Sequence, residues 1–253
     1  MNDKVNILNI NIHNITQSDL LKNLSEGILV TPNVDHLVKL QKDREFYEIY
    51  QNVEWVLCDS KIVALGLKFL NMPIQEVIPG SSFFAEYYLY HKNNENIKIF
   101  LLGVAEGVAV KAMKNINKKA GRNIVVGAHS PSFGFEKKET ECDEIIRMVN
   151  ATDANVLLVG VGAPKQEKWI YKYKKQFVNI KLFMALGATI DFEAGNVKRA
   201  PKFMQKLALE WFYRMFSDPK RLVKRYLIDD MPFFYYLLKQ KFGFYKNPFE
   251  QSQ

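Results

Sequence analysis

Two aspartates, one histidine and a glycine-rich turn carry most of the chemistry this sequence offers. Asp59 follows the apolar stretch VEWVLC and precedes Ser60 and Lys61. A carboxylate just past a strand is either a turn former or helix cap, or a general base held beside a substrate. Asp191, in GATIDFEAG, admits the same two roles. His129, ahead of SPSFGF, reads as a proton acceptor, a phosphate ligand or a loop hydrogen-bonding residue. The segment GVGAPKQEKW puts Gly160 and Gly162 after a strand and Pro164 where a helix starts. Such a turn directs backbone N–H groups at a phosphate or a ring, or simply joins strand to helix efficiently. Its spacing is neither that of a dinucleotide fingerprint nor that of a phosphate loop ending in Gly-Lys-Ser/Thr. The chain has 4 His, 2 Cys and no Asp-x-Asp pair. The simplest ligand sets for a transition metal, or for a divalent ion beside a diphosphate, are therefore missing, and neither metal nor cofactor is expected.

These residues need a frame, and the sequence supplies alternating strands and helices. KVNILNINIHNIT predicts a small antiparallel hairpin, and Thr16 to Asp19 resembles a capping box with Asp in place of Glu, followed by a helix face of Leu20, Leu21, Leu24 and Ile28. Apolar strands are expected in GILVTPN, VEWVLCDS, NIKIFLLG, GRNIVVGAH, ANVLLVGVG and NIKLFMALG, with helices between them. That order predicts an α/β fold: a Rossmann-like, mostly parallel sheet flanked by helices on both faces. Substrates of such sheets gather beyond the carboxyl ends of the strands. Thr31, Asn33, Asp59, Gly103, His129, Gly160 and Gly187 all fall near those ends, where a tight turn or a helix cap is the plainer alternative.

At 253 residues, 48% hydrophobic and 25% charged, the chain is globular rather than disordered or fibrous. No run approaches the ~20 apolar residues of a membrane-spanning helix, and the start lacks the pattern of a signal peptide. Charge is unevenly spread. Residues 198–253 hold twelve Lys and Arg against five Asp and Glu, hence seven of the eight net positive charges. We therefore expect a catalytic α/β domain over 1–197 and a basic, aromatic-rich helical appendage over 198–253. WFYRMF and MPFFYYLLKQKFGFY mix large apolar groups with cations, which suits an anionic membrane surface; packing of Trp211, Phe212, Phe216, Phe233 and Phe234 against the body is the alternative. A basic nucleic-acid module is disfavoured, because no reader motif accompanies the charge.

Four stretches point further: TPNVDHL, VLLVGVGAPKQEKWI, ALGATIDFEAGNVKRAPKFMQK and LEWFYRMFSDPKRLVKRY. In order and spacing they resemble the WecG/TagA/CpsF family of bacterial glycosyltransferases, represented by N-acetylmannosaminyltransferases of teichoic-acid and cell-surface antigen synthesis. The resemblance covers nearly the whole chain. It implies inverting transfer of a sugar, N-acetylmannosamine first among the options, from a UDP-sugar to a polyprenyl-diphosphate-linked saccharide. It also implies a peripheral location on the cytoplasmic face of the cell membrane.

By the same resemblance, Thr31 and Asn33 belong to the first active-site loop, Thr31 as a catalytic residue and Asn33 in substrate binding, and Asp59 is the catalytic base. Gly160, Gly162, Pro164, Gln166 and Glu167 form the glycine-rich loop. Asp191, Gly195, Arg199 and Pro201 form the next signature, and Arg214, Arg221 and Arg225 lie in the appendage as phosphate ligands. Gly80, Gly103 and His129 complete the expected substrate-binding set. The chain departs from the family pattern at Ser60, where a glycine is usual, and at Val77 and Ser82. Those departures leave glucosyl, galactosyl or other hexosaminyl transfer, or a noncatalytic membrane-associated scaffold, as alternatives. Expected partners are the UDP-sugar, the lipid-linked acceptor and an anionic membrane; a second copy of the chain is left open.

Overall fold

A computed structural model describes residues 3–197, Tyr213 and residues 219–250. Strands β1 (Lys4–Ile7) and β2 (Ile10–His13) form the expected antiparallel hairpin, Ile7 facing Ile10. Thr16 caps α1 (Gln17–Asn23), its hydroxyl accepting from the Asp19 N–H at 3.2 Å and donating to the Asp19 carboxylate at 2.7 Å. The expected helix face is shorter than its apolar pattern suggested: α1 ends at Asn23, and Ile28 belongs to the next strand.

Six strands build the main sheet: β3 (Gly27–Val30), β4 (Trp55–Val56), β5 (Ile99–Gly103), β6 (Val125–His129), β7 (Val156–Gly160) and β8 (Leu182–Ala185). Their spatial order is β4-β3-β8-β7-β5-β6, and every neighbouring pair is parallel. The helices in between are α2 (Val34–Lys39), α3 (Arg44–Gln51), α4 (Lys61–Phe69), α5 (Gly80–Tyr90), α6 (Val108–Ala120), α7 (Glu139–Asn150), α8 (Lys165–Tyr173) and α9 (Thr189–Glu193). Alternation along the strands explains why both faces are covered. Ile28, Val30, Phe100, Leu102, Leu157, Val159 and Phe183 point to a core shared with α2, α3, α4, α7 and α8. Leu29, Ile99, Leu101, Val156, Leu158 and Met184 point to a second core with α1, α5, α6 and α9. Strands buried on both sides must be apolar throughout, as these are.

The described part of the tail comprises α10 (Pro219–Lys224), a π-helical turn Arg225–Asp229 and α11 (Pro232–Lys241). It packs on the sheet domain. Phe233 and Leu237 join the first core, the Leu8 N–H donates to the Gln240 side chain at 2.7 Å, and the Tyr245 hydroxyl donates to Gln41 at 2.6 Å. Gly66 of α4 makes room for this: a Cβ there would sit 3.1 Å from the tip of the Phe233 ring. Of the Phe233 and Phe234 pair, Phe233 packs into the body while Phe234 is 45% exposed. Trp211, Phe212 and Phe216 lie outside the described residues. Among the described residues no helix is long and apolar enough to cross a membrane.

Candidate active site

A cavity of about 1340 Å³ opens beyond the carboxyl ends of the parallel strands. Most small-ligand sites span roughly 300–1,000 Å³, so this one has room for the reacting ends of two substrates. Thr31 and Asn33 reach it from the end of β3, Asp59 from β4, Gly160 and Gly162 from β7, and Asp191 from α9. Gly80, Gln166 and Arg225 also line it. Gly103, His129 and Glu167 are not among the lining residues: Gly103 lies under the floor, His129 ends the edge strand β6, and Glu167 is buried behind the wall. Gly195 turns the chain just after α9, with a φ of 73°. Arg199, Pro201, Arg214 and the side chain of Arg221 lie outside the described residues.

Asp59 is held by two elements at once. Its Oδ1 accepts the Gly80 N–H at 2.9 Å, at the first residue of α5, where the helix dipole favours a negative group. A Cβ on Gly80 would come within 3.0 Å of Thr31 Oγ1 and 2.7 Å of Leu186, so only glycine lets Thr31, Asp59 and the start of α5 converge. Ser60 has a local job: it is the N-cap of α4 and accepts the Val63 N–H at 3.2 Å. Beside them the Cys58 thiol is pushed up to about 12, chiefly by burial and then by the Asp59 charge, which leaves it protonated and inert as a nucleophile.

The floor is backbone. Gly103 and Gly160 are paired in register across β5 and β7, and Gly160 in turn approaches Gly187 after β8. A Cβ on Gly103 would lie 2.6 Å from the Gly160 carbonyl oxygen, and Gly103 has a φ of +137°. Gly103→Ala is expected to destabilise the fold by about 1–3 kcal/mol for the backbone conformation, with a similar term for the clash. A urea titration monitored by circular dichroism checks this; an unchanged midpoint would show that the floor yields easily.

The glycine-rich turn is pinned from below. The Gly162 N–H, at a φ of +86°, donates to Gln166 Oε1 at 3.1 Å, so that donor is already engaged by the protein. Gln166 Nε2 donates to Glu167 Oε1 at 2.8 Å, and the same carboxylate oxygen lies 3.6 Å from His36 Nε2. The other ring nitrogen of His36 is 2.9 Å from Asn33 Oδ1, which also caps α2 and accepts from Arg225 at 3.1 Å. One polar chain therefore runs from the glycine turn to the first loop and on to the tail. Tyr50 is buried nearby, and burial followed by the charges of Glu167, Asp59 and Asp35 holds its proton on.

Arg225 closes one side of the cavity within a mixed cluster. It stands 3.5 Å from Asp35 and 3.8 Å from Asp230, while Lys39 bridges Asp35 at 2.7 Å and the Ala163 carbonyl at 3.3 Å. Burial raises the Asp230 carboxyl from 3.8 to about 6, against the pull of Arg225 and with the help of Asp35 and Asp229. The folded state thus keeps a proton that the unfolded chain has released between about pH 4 and pH 6, and stability from this group falls as pH rises through that window. Asp230→Asn should flatten that decline, measured as urea midpoints of both proteins across the window; parallel profiles would contradict it.

Reading the sequence assigned no role to His36, Asp35, Lys39 or Asp230. His36 had a local signal, since it stands three residues after a capping Asn. Asp230 had no comparable signal: besides Arg225 and Asp229 beside it in sequence, Asp35 and Lys39 arrive from almost two hundred residues away.

A model of the glycosyl transferase WecG/TagA/CpsF family matches residues 5–247. The chain is also 27% identical, over 92% of its length and 91% of theirs, to proteins of Staphylococcus aureus strains MRSA252, MW2 and NCTC 8325. Each carries the name N-acetylglucosaminyldiphosphoundecaprenol N-acetyl-beta-D-mannosaminyltransferase. With a family match that runs through every element around the cavity, the chain belongs to the glycosyl transferase WecG/TagA/CpsF family.

Proposed function

We propose that this glycosyltransferase moves N-acetylmannosamine from a UDP-sugar onto N-acetylglucosaminyl diphosphopolyprenol, with inversion, in the synthesis of a cell-surface polymer. The observation that carries the reading is Asp59, a carboxylate fixed by the Gly80 N–H at 2.9 Å on the wall of a cavity large enough for donor and acceptor together. The acceptor is the one in the relatives' name.

In a single displacement the acceptor hydroxyl attacks the anomeric carbon from the side opposite the nucleotide. The new C–O bond forms as the bond to UDP breaks, UDP leaves with the electron pair, and Asp59 takes the hydroxyl proton. Arg225 and Lys39 supply positive charge at the cavity; a guanidinium fork suits the oxygens of a diphosphate. Thr31 and Asp191 contact the reacting sugars, and the basic tail meets the cytoplasmic membrane face where a polyprenyl acceptor resides. Mass-spectrometric identification of the product, across a panel of nucleotide sugars with the polyprenyl-diphosphate acceptor, tests the reading. Absence of product with every donor would leave the scaffold role instead.

The sequence has no Asp-x-Asp pair, and cations of the protein stand at the cavity. Transfer is therefore expected to continue after EDTA treatment. Recovery of lost activity on adding magnesium or manganese would overturn metal independence.

A further inference from the structure

Helix α4 has more apolar surface than the fold uses. Its inner side, Val63 and Leu67, is buried in the first core. Ile62, Leu65 and Phe69 recur at helical spacing on another side, and Leu65 and Phe69 remain 59% and 42% exposed. Facing them across a groove of about 320 Å³ are Phe233, Phe234 and Leu237 of α11. Gly66 lies among its lining residues, and every other described residue lining it is apolar.

The groove is continuous with the candidate active site. Ile62 and Phe234 line both, and Leu227 and Met231 extend the apolar wall into the main cavity. Direction follows from the helix: α4 begins at the cavity, where Ser60, Lys61 and Ile62 line it, and Phe69 lies about 10 Å further along the axis. A ligand leaving the cavity by this route passes from Arg225 and Lys39 to a surface made of hydrocarbon. That sequence of environments matches one ligand chemistry, an anionic diphosphate esterified directly to a linear isoprenoid chain.

We infer that the groove between α4 and α11 holds the first isoprene units of the acceptor's lipid chain while its diphosphate occupies the polar cavity. This rests on the acceptor class proposed above. The chain, rather than a protein partner, is the occupant because the groove is small, about 320 Å³, shares Ile62 and Phe234 with the cavity and so begins where a diphosphate-linked chain must emerge. Apolar contact along it turns lipid length into affinity without touching the reacting sugars.

The test uses the full-length protein and two soluble acceptors that share the same sugar diphosphate, one bearing a farnesyl chain and one a methyl group. The double variant Leu65→Asn/Phe69→Asn changes side chains that are already exposed, and circular dichroism confirms its fold. We expect it to lower the preference in kcat/KM for the farnesyl acceptor over the methyl acceptor by roughly tenfold. An unchanged preference overturns the inference, including the case in which only vesicle binding falls and the face is a membrane contact. A benzophenone-tagged farnesyl diphosphate provides a readout independent of transfer. Cross-links to α4 and α11 peptides that the double variant abolishes support the groove even if no sugar is transferred, a result that would sink the proposed activity alone. Cross-links elsewhere overturn the groove.

Discussion

Asp59→Asn is expected to reduce turnover by about 10²–10⁴-fold, the usual worth of general-base assistance, while leaving the fold in place. The substitution is informative because of what it keeps. The Gly80 N–H needs an oxygen acceptor at 2.9 Å, and the amide of Asn still offers one, so the start of α5 stays anchored. What is lost is the capacity to take a proton from an attacking hydroxyl. No nearby thiol substitutes, since Cys58 stays protonated. Single-turnover kinetics with saturating donor, on protein whose melting curve matches the parent, isolates the chemical step. Turnover close to the parent's would move the role to Asp191, a carboxylate brought to the cavity by α9.

Phe233→Ala should cost about 3–5 kcal/mol of stability, the range for emptying a large aromatic site in a packed core. Phe233 is fully buried, its ring tip rests against Gly66, and it shares a core with β3 and α4. The loss should show as a lower urea midpoint with little change in slope. A midpoint shift of the size expected for a surface residue would mean that α11 detaches without disturbing the sheet, as a separate appendage would.

The sheet was readable because its strands are apolar on both faces and are separated by turn residues; all six stretches named from sequence contain one. Helices α3, α5 and α9 escaped that reading. In α5, GSSFFAEYYLY, the buried Phe83, Phe84, Tyr87 and Tyr88 stand at helical spacing, but the outer face carries the exposed Leu89 and Tyr90, so little polar contrast marks the period. Helix α3 follows α2 after a short turn and merges with it in sequence. Within the site, residues at strand ends were legible because the architecture itself puts them there. His36, Asp35 and Asp230 were not, since their significance depends on which distant segments fold against them. Glu167 illustrates the opposite error of emphasis: it belongs to a recognisable motif, yet its carboxylate faces inward to Gln166 and His36.

The docking of α11 also fixes when this protein can finish folding. The Leu8 N–H finds its acceptor in Gln240, and Gln41 finds its donor in Tyr245, pairs separated by more than two hundred positions in the chain. During synthesis the hairpin and the first helices leave the ribosome long before those partners exist. Contacts of such long range slow folding and leave apolar surface uncovered in the interval. The outer strands and α4 must therefore wait, part-exposed, for α11, and the cavity bounded by Arg225 is not complete until the chain has been made that far. A nascent chain is thus kept from working on its substrates until α11 has emerged and docked.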